Sequence, residues 1–199
     1  MSAVEGIELE RHPWPPYIPD GARVLIMGTF PPGRHRWSMD FYYPNRTNDF
    51  WFMMGLLFMG DRDALYDRKS RNFRLDDICR LLDSLGVALN DTGRVVQRLK
   101  GNASDKFLNI VEPVPLQKLL ASMPLCRTVA TTGEKAAAVV SELTATPLPR
   151  MGECVLSAAG LHIWRMPSTS RAYPMALETK ASFYARLFRD CGIMPQPAK

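Results

Sequence analysis

Short apolar runs that end in glycine or a polar cluster alternate with segments of helical period, and no other feature restricts the fold as strongly. Val24-Leu25-Ile26-Met27 closes at Gly28, Val87-Ala88-Leu89 leads into Asn90-Asp91-Thr92, and Thr128 to Thr131 stops at Thr132-Gly133. Runs this short, bounded by turn residues, predict buried strands. Between them, Asn48 or Asp49 is placed to cap a helix over Phe50 to Phe58. Leu75, Ile78, Leu82 and Leu85 share a helical face ahead of Gly86, while Leu116 to Met123 and Glu134 to Leu143 predict two further helices. Leu177, Ala181, Tyr184, Phe188 and Cys191 make an amphipathic helix stopped by Gly192. Cys154 to Ala158 and His162 to Met166 bracket Ala159-Gly160 as a hairpin or strand pair, and Phe107 to Val111 predicts a short strand after the cap-like Ser104-Asp105. Strands alternating with helices imply a three-layer α/β/α sandwich around a central, mostly parallel sheet.

A chain of 199 residues suits one domain over 1–199, with the Pro-rich stretch at 12–20 as an extended lead-in that clasps the surface. Hydrophobic residues at 46% and charged ones at 23% argue against disorder. The longest apolar stretch, Phe50 to Met59, falls short of the roughly 20 residues a membrane helix needs, and Met1 to Glu10 carries no apolar signal core. A cytoplasmic protein, expected to be monomeric and without a membrane partner, follows. Net charge is +5, which tolerates a polyanionic partner, although no run of basic residues forms a tail. Cys79, Cys126, Cys154 and Cys191 form no Cys-x-x-Cys pair, so buried free thiols are expected, with no metal and no cofactor.

Function concentrates at strand exits, because ligands of such sheets gather beyond the strands' carboxyl ends. Gly28-Thr29, Thr131-Thr132-Gly133 and Pro167-Ser168-Thr169-Ser170 are polar exits that such a sheet brings together. The segment from Thr29 to Asn48 has no helical period and is a long loop, which points to function. No Gly-x-x-x-x-Gly-Lys, no Gly-x-Gly-x-x-Gly after a strand and no Gly-x-Ser-x-Gly elbow occurs.

Two segments carry a resemblance. Gly28-Thr-Phe-Pro-Pro runs through Phe41-Tyr-Tyr-Pro-Asn-Arg-Thr-Asn48-Asp-Phe-Trp51, and Met166-Pro-Ser-Thr-Ser-Arg-Ala172 follows late. Together they resemble the uracil-DNA glycosylase superfamily, most nearly its mismatch-specific, thymine and hypoxanthine branch. That branch has a strand ending in Gly-x-x-Pro, an aromatic loop closing on Asn-x-Phe-Trp, and a late strand ending in Pro-Ser-x-Ser. Gly86 to Asp91 and Asn102-Ala-Ser-Asp105 also match, and the resemblance covers about Val24 to Phe188. One position departs: where the mismatch and thymine enzymes hold their water with the Asn of Gly-x-Asn-Pro, this chain has Phe30.

The resemblance implies a uracil-DNA glycosylase-like fold and a monofunctional DNA repair glycosylase. Such an enzyme flips a deaminated base, uracil or hypoxanthine, out of DNA and hydrolyses its N-glycosidic bond. As in the hypoxanthine-type enzymes, the water falls to the Asn of Asn-x-Phe-Trp, here Asn48; the plainer role for Asn48 is to cap the helix at Phe50. Gly28, Thr29, Phe30, Pro31, Phe41, Tyr42, Tyr43 and Thr132 are the expected base pocket. Pro167, Ser168, Thr169, Ser170, Arg171 and Tyr173 are the expected DNA contacts, with Arg171 or Tyr173 filling the gap in the base stack. Lys100, Lys106, Arg34 and Arg36 are candidate phosphate contacts, and Asp40, Asp49 and Asp91 rival carboxylates, Asp91 being assigned to local turn bonding. Two other readings stay open: a non-catalytic nucleic-acid-binding module of the same fold, and a hydrolase of free nucleosides.

Overall fold

The structure, a computed structural model, describes residues 3–99 and 107–195. The predicted Ser104-Asp105 cap, the Asn102 to Asp105 match and the candidates Lys100 and Lys106 lie outside the described residues. The central sheet has strand order β5-β2-β8-β10-β9, with β2 at Val24–Gly28, β5 at Val87–Asp91, β8 at Thr128–Thr132, β9 at Cys154–Leu156 and β10 at His162–Met166. All neighbours run parallel except β9, which returns antiparallel on β10 as the hairpin expected from sequence.

Alternate residues of each strand face opposite layers. Val24, Ile26, Val87, Leu89, Ala130 and Trp164 pack beneath three helices, α1 (Phe50–Met59), α2 (Leu75–Leu85) and α5 (Leu177–Asp190). Leu25, Met27, Ala88, Val129 and Ile163 meet α3 (Leu116–Ala121) and α4 (Glu134–Thr144) on the other side. The architecture is therefore the α/β/α sandwich around a mostly parallel sheet. Helix α1 is apolar all round because it is covered all round; Phe50 to Met54 are buried, and the Trp51 indole donates to the Tyr42 carbonyl at 2.9 Å. Among the described residues, no helix is long and apolar enough to cross a membrane.

Several elements depart from the sequence reading. A second sheet, β1-β6-β7, joins Glu10–Arg11, Gly93–Arg98 and Leu108–Pro113, and its central strand β6 carries no clean alternation to betray it. A small hairpin, β3 (Tyr66–Asp67) and β4 (Asn72–Phe73), lies between α1 and α2. Helix α3 stops at Ala121, short of Met123, since Pro124 disfavours helix in the residue before it. The Pro-rich lead-in runs along the edge of β5, where Tyr17 and Leu89 exchange backbone hydrogen bonds of 3.0 and 2.9 Å. All four cysteines are free, but only Cys126 is buried; Cys79, Cys154 and Cys191 are half-buried at the rims of helices and strands.

One buried ion cluster joins the loop before α1 to the loop after β10. Lys180 of α5 is fully buried and donates to Asp49 Oδ2 at 2.9 Å and to the Ser170 carbonyl at 2.8 Å. Arg171 Nε donates to Asp49 Oδ1 at 2.9 Å, and its guanidinium lies over the Phe52 ring. Backbone bonds reinforce the tie, from the Asp49 amide to the Thr169 carbonyl at 2.7 Å and from the Arg171 amide to the Thr47 carbonyl at 3.1 Å. Removing one member strands a buried charge, which typically costs about 3–5 kcal/mol. Lys180→Met is expected to lose about that much in denaturant unfolding, and adding Asp49→Asn to cost less than the sum of the two single changes. Additive losses would contradict the tie.

Candidate functional site

The order of the strands places the site. The chain lays down β2, moves to β5 on one side, then crosses to β8 on the other, so the connections diverge above β2 and leave a crevice at its carboxyl end. A cleft of about 740 Å³ opens there. Gly28, Asp91 and Thr132, the last residues of β2, β5 and β8, lie at its base. Thr29 to Pro32, Tyr43 and Asn48 line it from the long loop, and Ser168 to Pro174 from the segment after β10.

Gly28 allows the polar groups to converge. A Cβ at this position would stand 2.6 Å from Asp91 Oδ1, 3.4 Å from the Tyr43 hydroxyl and 3.6 Å from Thr132 Oγ1. Three polar atoms on three elements thus surround one point above β2, and any side chain there would displace the carboxylate. The Tyr43 hydroxyl and Thr132 Oγ1 are 3.3 Å apart. Tyr43 holds φ at 51°, unusual for a non-glycine residue, while its ring stacks on Phe50 with 4.0 Å between centroids. Its ring is therefore fixed from below by the helix that begins at Phe50.

Asp91 is also fixed from behind. Its Oδ2 lies 3.0 Å from His12 Nε2, and His12 Nδ1 lies 2.9 Å from the Trp14 carbonyl. Burial opposes a charge on the imidazole, yet the Asp91 hydrogen bond and charge, with the Trp14 carbonyl, raise its pKa above the usual 6.5. The turn-bonding role expected for Asp91 is not the one observed; its carboxylate spans the lead-in and the cleft. His12 was not among the expected site residues. The Pro residues around it read as a surface segment, and only the return of that segment to the edge of β5 brings the ring to Asp91.

Asn48 lines the cleft, half-buried, and its Oδ1 accepts the Phe50 amide at 2.9 Å. The capping role and a place in the cleft are therefore both present in one side chain. Asp49, although it precedes the helix, makes no side-chain cap and belongs to the ion cluster instead. Phe30 lines the cleft with its ring edge-on to His12 at 5.5 Å and the Arg98 guanidinium above it at 5.6 Å.

Of the expected base-pocket residues, Gly28, Thr29, Phe30, Pro31, Tyr43 and Thr132 line the cleft, and Phe41 and Tyr42 do not. Tyr42 is buried, donates to the Pro15 carbonyl at 2.9 Å, and has its phenol pushed up by burial and by the Asp91 charge. Phe41 packs between Tyr17 and Trp51. Phe41 and Tyr42 therefore serve the core, and Tyr43, next in the loop, serves the cleft. Ser168, Thr169, Ser170, Arg171 and Tyr173 line it too, while Pro167 is buried beneath, its carbonyl accepting the Tyr184 hydroxyl at 3.0 Å. Arg171 is held by Asp49, and the Tyr173 hydroxyl lies 3.1 Å from Met151 Sδ. Asp40 lies outside, accepting the Trp14 indole at 2.8 Å. Arg36 lines the cleft and Arg34 does not.

Fold and cleft together define an α/β/α protein with a switch-point pocket, and the comparisons agree on the fold. A solution structure from Methanosarcina acetivorans, provisionally designated a uracil DNA glycosylase, superposes with a TM-score of 0.65 at 20% identity, covering 93% of this chain and 99% of that one. No protein-family model and no curated protein matches the sequence.

The His12–Asp91 contact fixes a pH dependence. Because the folded state raises the histidine's pKa, the contribution is complete below about 6.5 and is lost as pH rises through the folded value. The thermal midpoint should fall over that window in the wild type and stay flatter in His12→Gln. Gly28→Ala, which forces the Asp91 carboxylate aside, should flatten the same profile; an unaltered profile in both variants would refute the coupling.

Proposed function

We propose that this chain is a monofunctional DNA glycosylase of the uracil-DNA glycosylase superfamily, acting on uracil or hypoxanthine in DNA. One observation carries the reading: Gly28 to Pro31, Tyr43, Asn48, Thr132 and Ser168 to Arg171, separate in sequence, line a single cleft at the strand switch point. The likeness in fold to the Methanosarcina protein supports it. A cleft of about 740 Å³ falls within the roughly 300–1,000 Å³ usual for small-molecule pockets and has room for a flipped base.

In this mechanism Tyr43, fixed on Phe50, and Phe30 offer aromatic faces to the extruded base. The Asn48 amide has one lone pair of Oδ1 committed to the helix, so the other has a set direction in which to hold a water proton. The bond to the base nitrogen breaks first and its electron pair leaves with the base; the water then adds to the anomeric carbon, and the proton it sheds passes to the departing base or to solvent. Positive charge grows on the sugar, and the Asp91 carboxylate at the base of the cleft opposes it. The Ser168 and Ser170 hydroxyl oxygens accept the Ser170 and Ala172 amides, both at 3.3 Å, which leaves their O–H groups to donate to the flanking phosphates. Tyr173, less constrained than Arg171, is the better residue to fill the vacated stack. No cofactor takes part, and a monomer working in the cytoplasm completes the reading.

A second reading, a binding module without chemistry, is favoured by the engagement of Asn48 Oδ1 with the Phe50 amide and by Phe30 in the first motif. Labelled duplexes carrying uracil, hypoxanthine or a thymine mismatch, treated with alkali after incubation, separate the two. The wild type should cut at uracil or hypoxanthine, and Asn48→Ala should lower the rate by about 10²-fold or more while still binding DNA. If Asn48→Ala retains full activity and Asp91→Asn abolishes it, the water belongs to Asp91. Binding with no cleavage of any duplex would leave the binding module.

A further inference from the structure

Beside the cleft lies a second groove, of about 530 Å³, between the long loop and the β3–β4 hairpin. The two share Arg36, Asn45 and Thr47 as a common rim, so one opens onto the other. The groove is lined by Arg36, Arg46, Arg71 and His35, with no carboxylate in its lining. Among the described residues none of the three arginines makes a salt bridge, which leaves their charges to solvent. Like charges gathered around one concave surface attract an anionic partner.

The walls are firm. Tyr66 and Phe73 pack together and against Phe52 of α1, which anchors the hairpin in the core. Its turn is set by Asp67, whose Oδ1 accepts the Lys69 amide at 2.8 Å and whose Oδ2 accepts the Ser70 hydroxyl at 2.9 Å. Arg71 takes φ at 59°, so the backbone doubles back and the four residues Arg68 to Arg71 stand exposed at the tip. On the facing wall the half-buried Trp37 lines the groove, its indole donating to the Pro32 carbonyl at 2.7 Å. The Trp37 ring packs on Trp14 at 4.7 Å and carries the exposed Arg34 guanidinium at 5.2 Å, so an unstacked base running along a phosphate backbone would take the place of Arg34 on it.

We infer that the strand carrying the target nucleotide continues from the cleft into this groove, its backbone phosphates held by Arg46 and Arg71 and an adjacent base resting on Trp37. The inference rests on the nucleic-acid reading of the cleft but not on its chemistry. The contacts are to phosphate and a ring face, so the groove is indifferent to base sequence. Arg36, on the shared rim, links the two sites.

The test compares the wild type with the double variant Arg46→Ala/Arg71→Ala. Fluorescence anisotropy with labelled undamaged single-stranded and duplex oligonucleotides is read across a salt series. Both substitutions lie on exposed residues, and an unchanged thermal midpoint certifies the fold. Loss of two phosphate contacts should weaken binding at low salt by roughly tenfold or more and flatten the logarithmic salt dependence by about 0.7 to 0.9 per contact. Trp37→Ala should weaken the single strand more than the duplex. A folded double variant with wild-type affinity and salt slope would overturn the inference while leaving any excision by the wild type standing. Groove-dependent binding without excision would uphold the groove and remove the glycosylase, whereas no binding of either oligonucleotide by the wild type would remove both.

Discussion

A single buried carboxylate holds the two functional loops to each other. Asp49 takes a hydrogen bond from Lys180 on one oxygen and from Arg171 on the other, and Lys180 goes on to the Ser170 carbonyl. Taking the Asp49 and Lys180 charges into the interior is costly, and close pairing, with the exposed Arg171 beside them, is what makes such a cluster tolerable. Its effect is geometric. The residue before Asp49 is Asn48 and the residues before Arg171 are Ser168 to Ser170, so the cluster fixes the spacing between the side chain proposed to hold water and the segment proposed to hold phosphate. A hydrophobic substitute would pack as well but would set no such register, because apolar contact has no preferred direction.

The polar base of the cleft follows from the same economy at the sheet. Strands buried on both faces are apolar along their length, and only their last residues escape that requirement. Gly28, Asp91 and Thr132 are those last residues, adjacent because β5, β2 and β8 are adjacent. The absence of a side chain at Gly28 is as necessary as the presence of one at Asp91, since the two claim the same space. His12 then anchors the carboxylate from the far side, which turns the Pro-rich lead-in from a surface strap into part of the wall behind the site.

Most of the parallel sheet was legible because each strand is an apolar run closed by turn residues, and four of the five predicted helices differ from those observed by one residue at most. Strand β6 was not legible: it is largely buried at the centre of a small sheet with Gln97 among its buried residues, and Gly93 to Arg98 has neither an apolar run nor a strict period. The site was legible in its motifs and illegible in its supports. Nothing local marks Phe41 and Tyr42 as core and Tyr43 as cleft, for that depends on which way a long loop turns. Lys180 did leave a signal, since it falls on the apolar face of α5 between Leu177 and Tyr184, where a lysine is out of place unless it meets a carboxylate. His12 left none, because its partner is distant in sequence and reached only through the fold.

The chemistry proposed for the cleft turns on the difference between an amide and a carboxylate. An N-glycosidic bond that breaks ahead of attack needs little help from a strong base, and more from groups that oppose the growing positive charge. Asn48 has only a dipole to offer, but its orientation is fixed by the first turn of α1. Asp91 brings a carboxylate, held by a histidine whose pKa is raised in its company. In the proposed mechanism a neutral amide places the water and an anchored carboxylate answers the charge. On the proposed reading the first motif needs no asparagine, because the Asn48 amide enters the same cleft from the loop's far end while Phe30 brings an aromatic ring to it.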